Sequence, residues 1–138
     1  MTNDEAYAIG ARALAAGFKW MPGCLGVDSR KGVREVVYIC PDYDGNPMFC
    51  RLFPSAGTDP YDTQAPDVRD CGVIAHMLAQ VRERAGSSFY LWRDAVKDGW
   101  EVRTDTPSYL VSGIVGTWGK SQGEAVVLAL EITHRGGF

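Results

Sequence analysis

Three segments of this chain repeat apolar residues at helical spacing, and the two stretches between them do not. That alternation limits the fold more than any other feature. In the first segment, Thr2-Asn3-Asp4-Glu5 has the order of a capping box, Thr followed three residues later by Glu. Ala6, Ile9, Ala13 and Leu14 then share one helical face, and Gly17 is a natural terminator, so a helix is expected over 3–16. In the second, Asp67 stands as a cap with Asp70 in the first turn. Val68, Cys71, Ile74, Ala75, Leu78, Val81 and Ala85 form an apolar stripe ended by Gly86, which predicts a helix over 68–85. In the third, Ser121-Gln122-Gly123-Glu124 repeats the capping-box order ahead of Ala125, Val126, Leu128, Ala129 and Ile132, giving a helix to about residue 134.

The intervening stretches are rich in aromatic and β-branched residues and broken by turn formers. Residues 20–22 and 24–28 read as short extended pieces, 29–32 as a turn, and VREVVYIC (33–40) as a strand that returns through MFCRLF (48–53). Asp44-Gly45 between them is a hairpin signal in which both central positions take positive φ. Residues 54–66 hold three prolines and no period, and read as a loop. The segments 87–95, 99–105 and 108–116 read as a second meander. The order α-βββ-α-βββ-α implies an α+β fold in one domain, residues 1–138, with three helices packed on a mostly antiparallel sheet.

Composition excludes some functions. Hydrophobic residues at 46% and charged residues at 22% suit a packed soluble domain, not a disordered one. No apolar run approaches the ~20 residues of a membrane span, and MTNDEAYAIG lacks the basic-then-apolar order of a secretion signal, so a cytoplasmic protein without membrane partners is expected. A net charge of −3 argues against direct nucleic-acid binding. Cys24, Cys40, Cys50 and Cys71 form no CxxC pair, and free thiols are expected, although Cys40 and Cys50 could face each other across the hairpin. No metal site, cofactor or catalytic constellation is visible. His76 is five residues from Cys71, about 140° away around a helix, so the two do not pair locally. A cysteine-dependent hydrolase would need a thiol brought to His76 or His134 by the fold.

Two constellations point to binding. GIVGTWGKSQGE (113–124) nearly spells a phosphate-binding loop, but that motif needs glycine five residues before Gly119, where Ile114 stands. Only 17 residues follow Ser121, too few for the rest of such a domain. What remains is a helix N-terminus at Ser121 with Gly119, Lys120 and Trp118 beside it, able to dock an anion and stack a base. Arg93 and Arg103 on neighbouring strands could add contacts. The alternative is that Ser121 only caps its helix. The second constellation is acidic: Asp42, Asp44, Asp59, Asp62, Asp67 and Asp70 against Arg51 and Arg69. It is either a solvated loop region or a docking surface for a basic partner protein. DYDGN (42–46) places its glycine too early for a calcium loop and reads as a turn.

ALAAGFKWMPG (13–23), APDVRDCGVIAHMLAQVRE (65–83) and SQGEAVVLALE (121–131) together resemble small bacteriophage and prophage accessory proteins over about a third of the chain. Cys71-Gly72 and His76-Met77 depart from that pattern. The resemblance implies a phage accessory protein acting in a bacterial host cell; with no catalytic constellation and with the acidic stretch, the expected function is non-catalytic inhibition of a defence system by binding a protein partner through that stretch. A nucleotide-sequestering module built on 118–121 is the alternative, and a homodimer is expected from the number of aromatic residues on the sheet.

Overall fold

In the computed structural model, residues 1–29, 35–52, 58–60, 63–86, 88–104 and 117–136 are described, with the backbone alone at 58–60. The fold is α+β, with three helices and antiparallel strands. No helix among the described residues is long and apolar enough to cross a membrane.

Helix α1 covers Asn3–Ala15. The Thr2 hydroxyl accepts from the Glu5 N–H, and the Glu5 carboxylate accepts from the Thr2 N–H, as the capping-box order requires. Ala6, Gly10 and Ala13 are its buried face, with Ile9 and Leu14 half-buried beside them.

Strands β1 (Leu25–Asp28), β2 (Val36–Pro41), β3 (Pro47–Arg51), β4 (Thr58–Pro60) and β5 (Gln64–Pro66) form one antiparallel sheet in the order β4-β3-β2-β1-β5. Residues 20–22 are not a strand; Trp20 instead packs its indole between Tyr38 and Phe49, with ring centroids 5.7 and 4.9 Å away. Two short strands also lie in the stretch expected to be loop. Prolines did not prevent them because both are edge strands, where a missing N–H costs little. β4 and β5 sit on opposite edges, yet Pro60 and Gln64 are four residues apart, at most ~14 Å of extended chain. A flat five-stranded sheet would separate its edges by about 19 Å, so this one is strongly rolled.

The β2–β3 hairpin also departs from the expected turn. Only Gly45 has positive φ (82°); Asp44 does not. The Gly45 N–H bonds the Asp42 carbonyl, giving an ordinary turn closed by a left-handed glycine, and the Asp42 carboxylate accepts from the Asp44 and Asn46 N–H groups. A bulge between Tyr38 and Cys40 then sets Cys40 opposite Met48, while Cys50 lies opposite Val37. The two cysteines are therefore not cross-strand partners, and all four thiols are free.

Helix α2 is Cys71–Ala85, three residues shorter at its start than the sequence pattern suggested. Asp70, not Asp67, is the cap, its carboxylate accepting from the Val73 N–H. The buried stripe is Val73, Ile74, Met77, Leu78 and Val81, and Cys71 and Ala75 face out. Val68, which began the expected stripe, is buried ahead of the helix. Asp70→Ala is expected to cost about 1 kcal/mol of unfolding free energy in urea denaturation, as a lost cap. Arg84 of α2 donates to the Ala16 and Gly17 carbonyls, capping α1 from outside.

Strands β6 (Phe89–Asp94) and β7 (Gly99–Thr104) form a separate two-stranded sheet. The expected third strand, 108–116, lies outside the described residues. Helix α3 (Gln122–His134) is the most enclosed, with Ala125, Val126, Val127, Ala129 and Leu130 all buried. It packs against α1, α2 and β7, so it joins the rolled sheet with its helix to the hairpin.

One short segment is gripped from two sides. A Cβ on Gly10 would stand 2.2 Å from the Pro66 carbonyl oxygen, and a Cβ on Gly123 would stand 2.2 Å from that of Val68. Neither distance is tolerable, so α1 and α3 approach 66–68 as closely as they do because both positions are glycine.

Candidate functional site

The β6–β7 connection is a four-residue turn, 95–98. The Asp94 carboxylate accepts from the Val96 and Lys97 N–H groups, both at 3.0 Å. Those bonds, the Lys97 amide foremost, hold the Asp94 carboxyl below the usual aspartate range. Asp98 takes the left-handed region (φ 54°), which aspartate tolerates better than most residues, and the chain enters β7 at Gly99. This turn fixes the register Arg93↔Trp100, placing both side chains on one face of the hairpin. The Arg93 guanidinium lies 5.8 Å from the Trp100 ring centroid and donates to the Gly99 carbonyl (3.1 Å) and the Asp98 carboxylate (2.6 Å).

Residues 117–119 attach to the free side of β7. The Thr117 hydroxyl accepts from the Val102 N–H, and Trp100 and Gly119 exchange two backbone bonds of 2.8 Å. Trp118 is thereby laid on Gly99: a Cβ there would come within 2.6 Å of three indole atoms. Trp118 remains 37% exposed. A cleft of about 440 Å³ results, lined by Arg93, Lys97, Asp98, Trp100, Trp118 and Lys120. That volume falls in the range of small-ligand sites. Three cations meet one carboxylate there, on a chain whose net charge is −3. Among the described residues neither Lys97 nor Lys120 has an ion-pair partner.

The structure brings Trp118, Lys120 and Arg93 together, and leaves Arg103 out. Arg103 stacks 4.4 Å from the Trp92 centroid and bonds Glu101, on the face of the hairpin away from Arg93 and Trp100, and does not line the cleft. Gly119 has a different role from the one expected. A Cβ there would stand 2.7 Å from the Ala125 N–H nitrogen, so the glycine makes room for α3. The helix N-terminus is also partly occupied by its own residues. Ser121 Oγ accepts from the Glu124 N–H, and the Glu124 carboxylate accepts from the Lys120 N–H. The cationic side chains, more than the helix end, carry this cleft's attraction for an anion. Trp100 and Lys97 were missed in the sequence; the hairpin register would have found Trp100, given the turn length.

Among the described residues, three aspartates of the acidic stretch are engaged within the fold. Asp42 holds its own turn, Asp70 caps α2, and Asp67 is 5% exposed, its carboxylate taking three hydrogen bonds from the backbone and guanidinium of Arg69. Arg69 continues to Asn3 at the start of α1. Asp44 is exposed, the Asp59 backbone lies in β4, and Asp62 is outside the described residues. Among the thiols, burial pushes Cys24 up, away from reactive thiolate, and no described cysteine hydrogen-bonds either histidine.

Compared with protein families, curated proteins and solved structures, the chain matches none.

Proposed function

We propose that this chain is a non-catalytic binding protein whose Trp100–Trp118 cleft captures a nucleotide-class ligand. The observation that supports this most is that Trp100 and Trp118 line one opening together with Arg93, Lys97 and Lys120. A base has a flat π-face for an indole, and a phosphate has charge for the cations; few other metabolites carry both. The resemblance to phage accessory proteins gives such capture a purpose, the sequestration of a signalling nucleotide on which a bacterial defence depends. The partner is then the nucleotide and not a basic host protein, because three of the aspartates proposed for docking are used by the fold itself.

Stacking contributes about 1–3 kcal/mol per base, and association costs at least ~4 kcal/mol before any gain appears. Three cations must supply the rest, so the affinity for adenosine 5′-monophosphate (AMP) is expected near 10–100 µM, roughly −6 kcal/mol. Calorimetry at low salt is the test. Measurable heat with AMP that weakens as salt is raised supports the reading. No heat with any nucleotide at about 1 mM (a Kd weaker than about −4 kcal/mol) contradicts it.

The Asp94 turn gives this site a pH limit. A carboxyl whose folded pKa is depressed contributes stability above its unfolded value and loses it as pH falls through the folded one. The turn carrying Lys97 and Asp98 is therefore expected to hold at neutral pH and to lose this contribution progressively as pH falls from the ordinary aspartate range to below it. Faster amide exchange at Val96 and Lys97 only at the acid end, corrected for intrinsic rates, would record this.

A further inference from the structure

Lys120 lines a second cleft as well. This one, about 530 Å³, opens between the first turns of α1 and α3 and is lined by Met1, Glu5, Ala8, Ile9, Ser121 and Glu124. Its chemistry differs from that of the first: Ala8 and Ile9 add apolar surface, and two carboxylates, Glu5 and Glu124, stand beside Lys120. Each carboxylate has one oxygen engaged by a backbone N–H, Glu5 by Thr2 and Glu124 by Lys120. Among the described residues neither second oxygen has a donor. A neutral ring with an exocyclic amine suits this cleft, packing on Ile9 and donating to a glutamate.

The geometry points to a dinucleotide, two bases joined through a phosphate, as the ligand of the two clefts together. Resting on the nucleotide reading above, this assigns one base to the Trp100–Trp118 cleft, the phosphate to Lys120 between the clefts, and the second base to the α1–α3 cleft. The charge pattern supports that order. Three cations face one carboxylate in the first cleft, whereas in the second two carboxylates face Lys120 and Met1 beside apolar residues, and Lys120 is common to both.

Titrating the full chain with AMP and with 3′,5′-adenylyl-adenosine separates the two ideas. AMP carries more phosphate charge, so electrostatics alone would make it the tighter ligand. The expected result is the opposite, the dinucleotide binding at least tenfold tighter. Ala8 is exposed on α1, and Ala8→Glu adds a third carboxylate to the second cleft without touching the core. It should bring the ratio of the two affinities to about one, as should Ile9→Ser, with the AMP titration of each variant showing that it is folded. AMP binding with no dinucleotide gain overturns the inference and leaves the nucleotide reading standing. A gain that persists in both variants also overturns it. Binding of neither ligand overturns both.

Discussion

Gly10→Ala should lower the melting temperature by about 3–7 °C, although alanine is the better helix former by up to ~1 kcal/mol in a helix interior. The two effects have opposite signs, and packing decides. The new methyl would stand 2.2 Å from the Pro66 carbonyl oxygen and 3.1 Å from Ala65 Cβ. Both atoms belong to β5, which is hydrogen-bonded to β1, so the carbonyl cannot swing aside without breaking the sheet edge. Overpacking of this kind costs about 1–3 kcal/mol. At a few degrees per kcal/mol for a domain of this size, that gives the stated shift. Gly123→Ala should act similarly through Val68. Because both glycines press on 66–68, the double variant should fall short of the sum if the first substitution already pushes that segment away. Thermal unfolding of the three variants by circular dichroism checks this; an unchanged or raised melting temperature for Gly10→Ala would mean that α1 does not lie so close.

Trp118→Ala and Lys120→Ala should each weaken nucleotide binding at least tenfold, about 1.4 kcal/mol, while leaving the melting temperature within a few degrees. Trp118 is more than a third exposed and Lys120 is exposed, so neither carries the core. A third variant tests placement as distinct from presence. Gly99→Ala keeps every cleft side chain but sets a methyl where the Trp118 ring lies, 2.6 Å from its atoms. The indole must move, and a comparable loss of affinity is expected. Full binding in Gly99→Ala together with loss in Trp118→Ala would mean that the ring stacks from some other position. Calorimetry with AMP reads all three.

The helices were legible because caps and periodicity are local: Thr2 and Ser121 both cap their helices, although the Glu124 carboxylate takes the Lys120 N–H in place of that of Ser121. The start of α2 was misplaced because two aspartates, 67 and 70, both suit a cap, and only packing decides between them. Asp67 is drawn inward to Arg69, and its N–H bonds the Leu25 carbonyl of β1. That contact joins residues 42 positions apart and has no local signature. β4 and β5 were illegible for the same reason, since three-residue edge strands around prolines exist only because β3 and β1 pair with them. At the site, Trp118 and Lys120 stood out as neighbours in sequence. Arg93, Lys97 and Trp100 joined them through the hairpin register and the Trp100–Gly119 bridge, which tie residues about 20 apart.

The nucleotide reading makes one claim about place that a single experiment reaches. The four indole N–H groups report separately in a proton–nitrogen correlation spectrum, and they sit in different surroundings. Trp20 packs between Tyr38 and Phe49, Trp92 lies under Arg103, and Trp100 and Trp118 line the cleft. Titration with AMP should move the Trp100 and Trp118 signals together along one saturating curve, assigned by Trp118→Ala, and leave those of Trp20 and Trp92 in place. Four stationary signals up to millimolar AMP, or a shift confined to Trp92, would contradict the account.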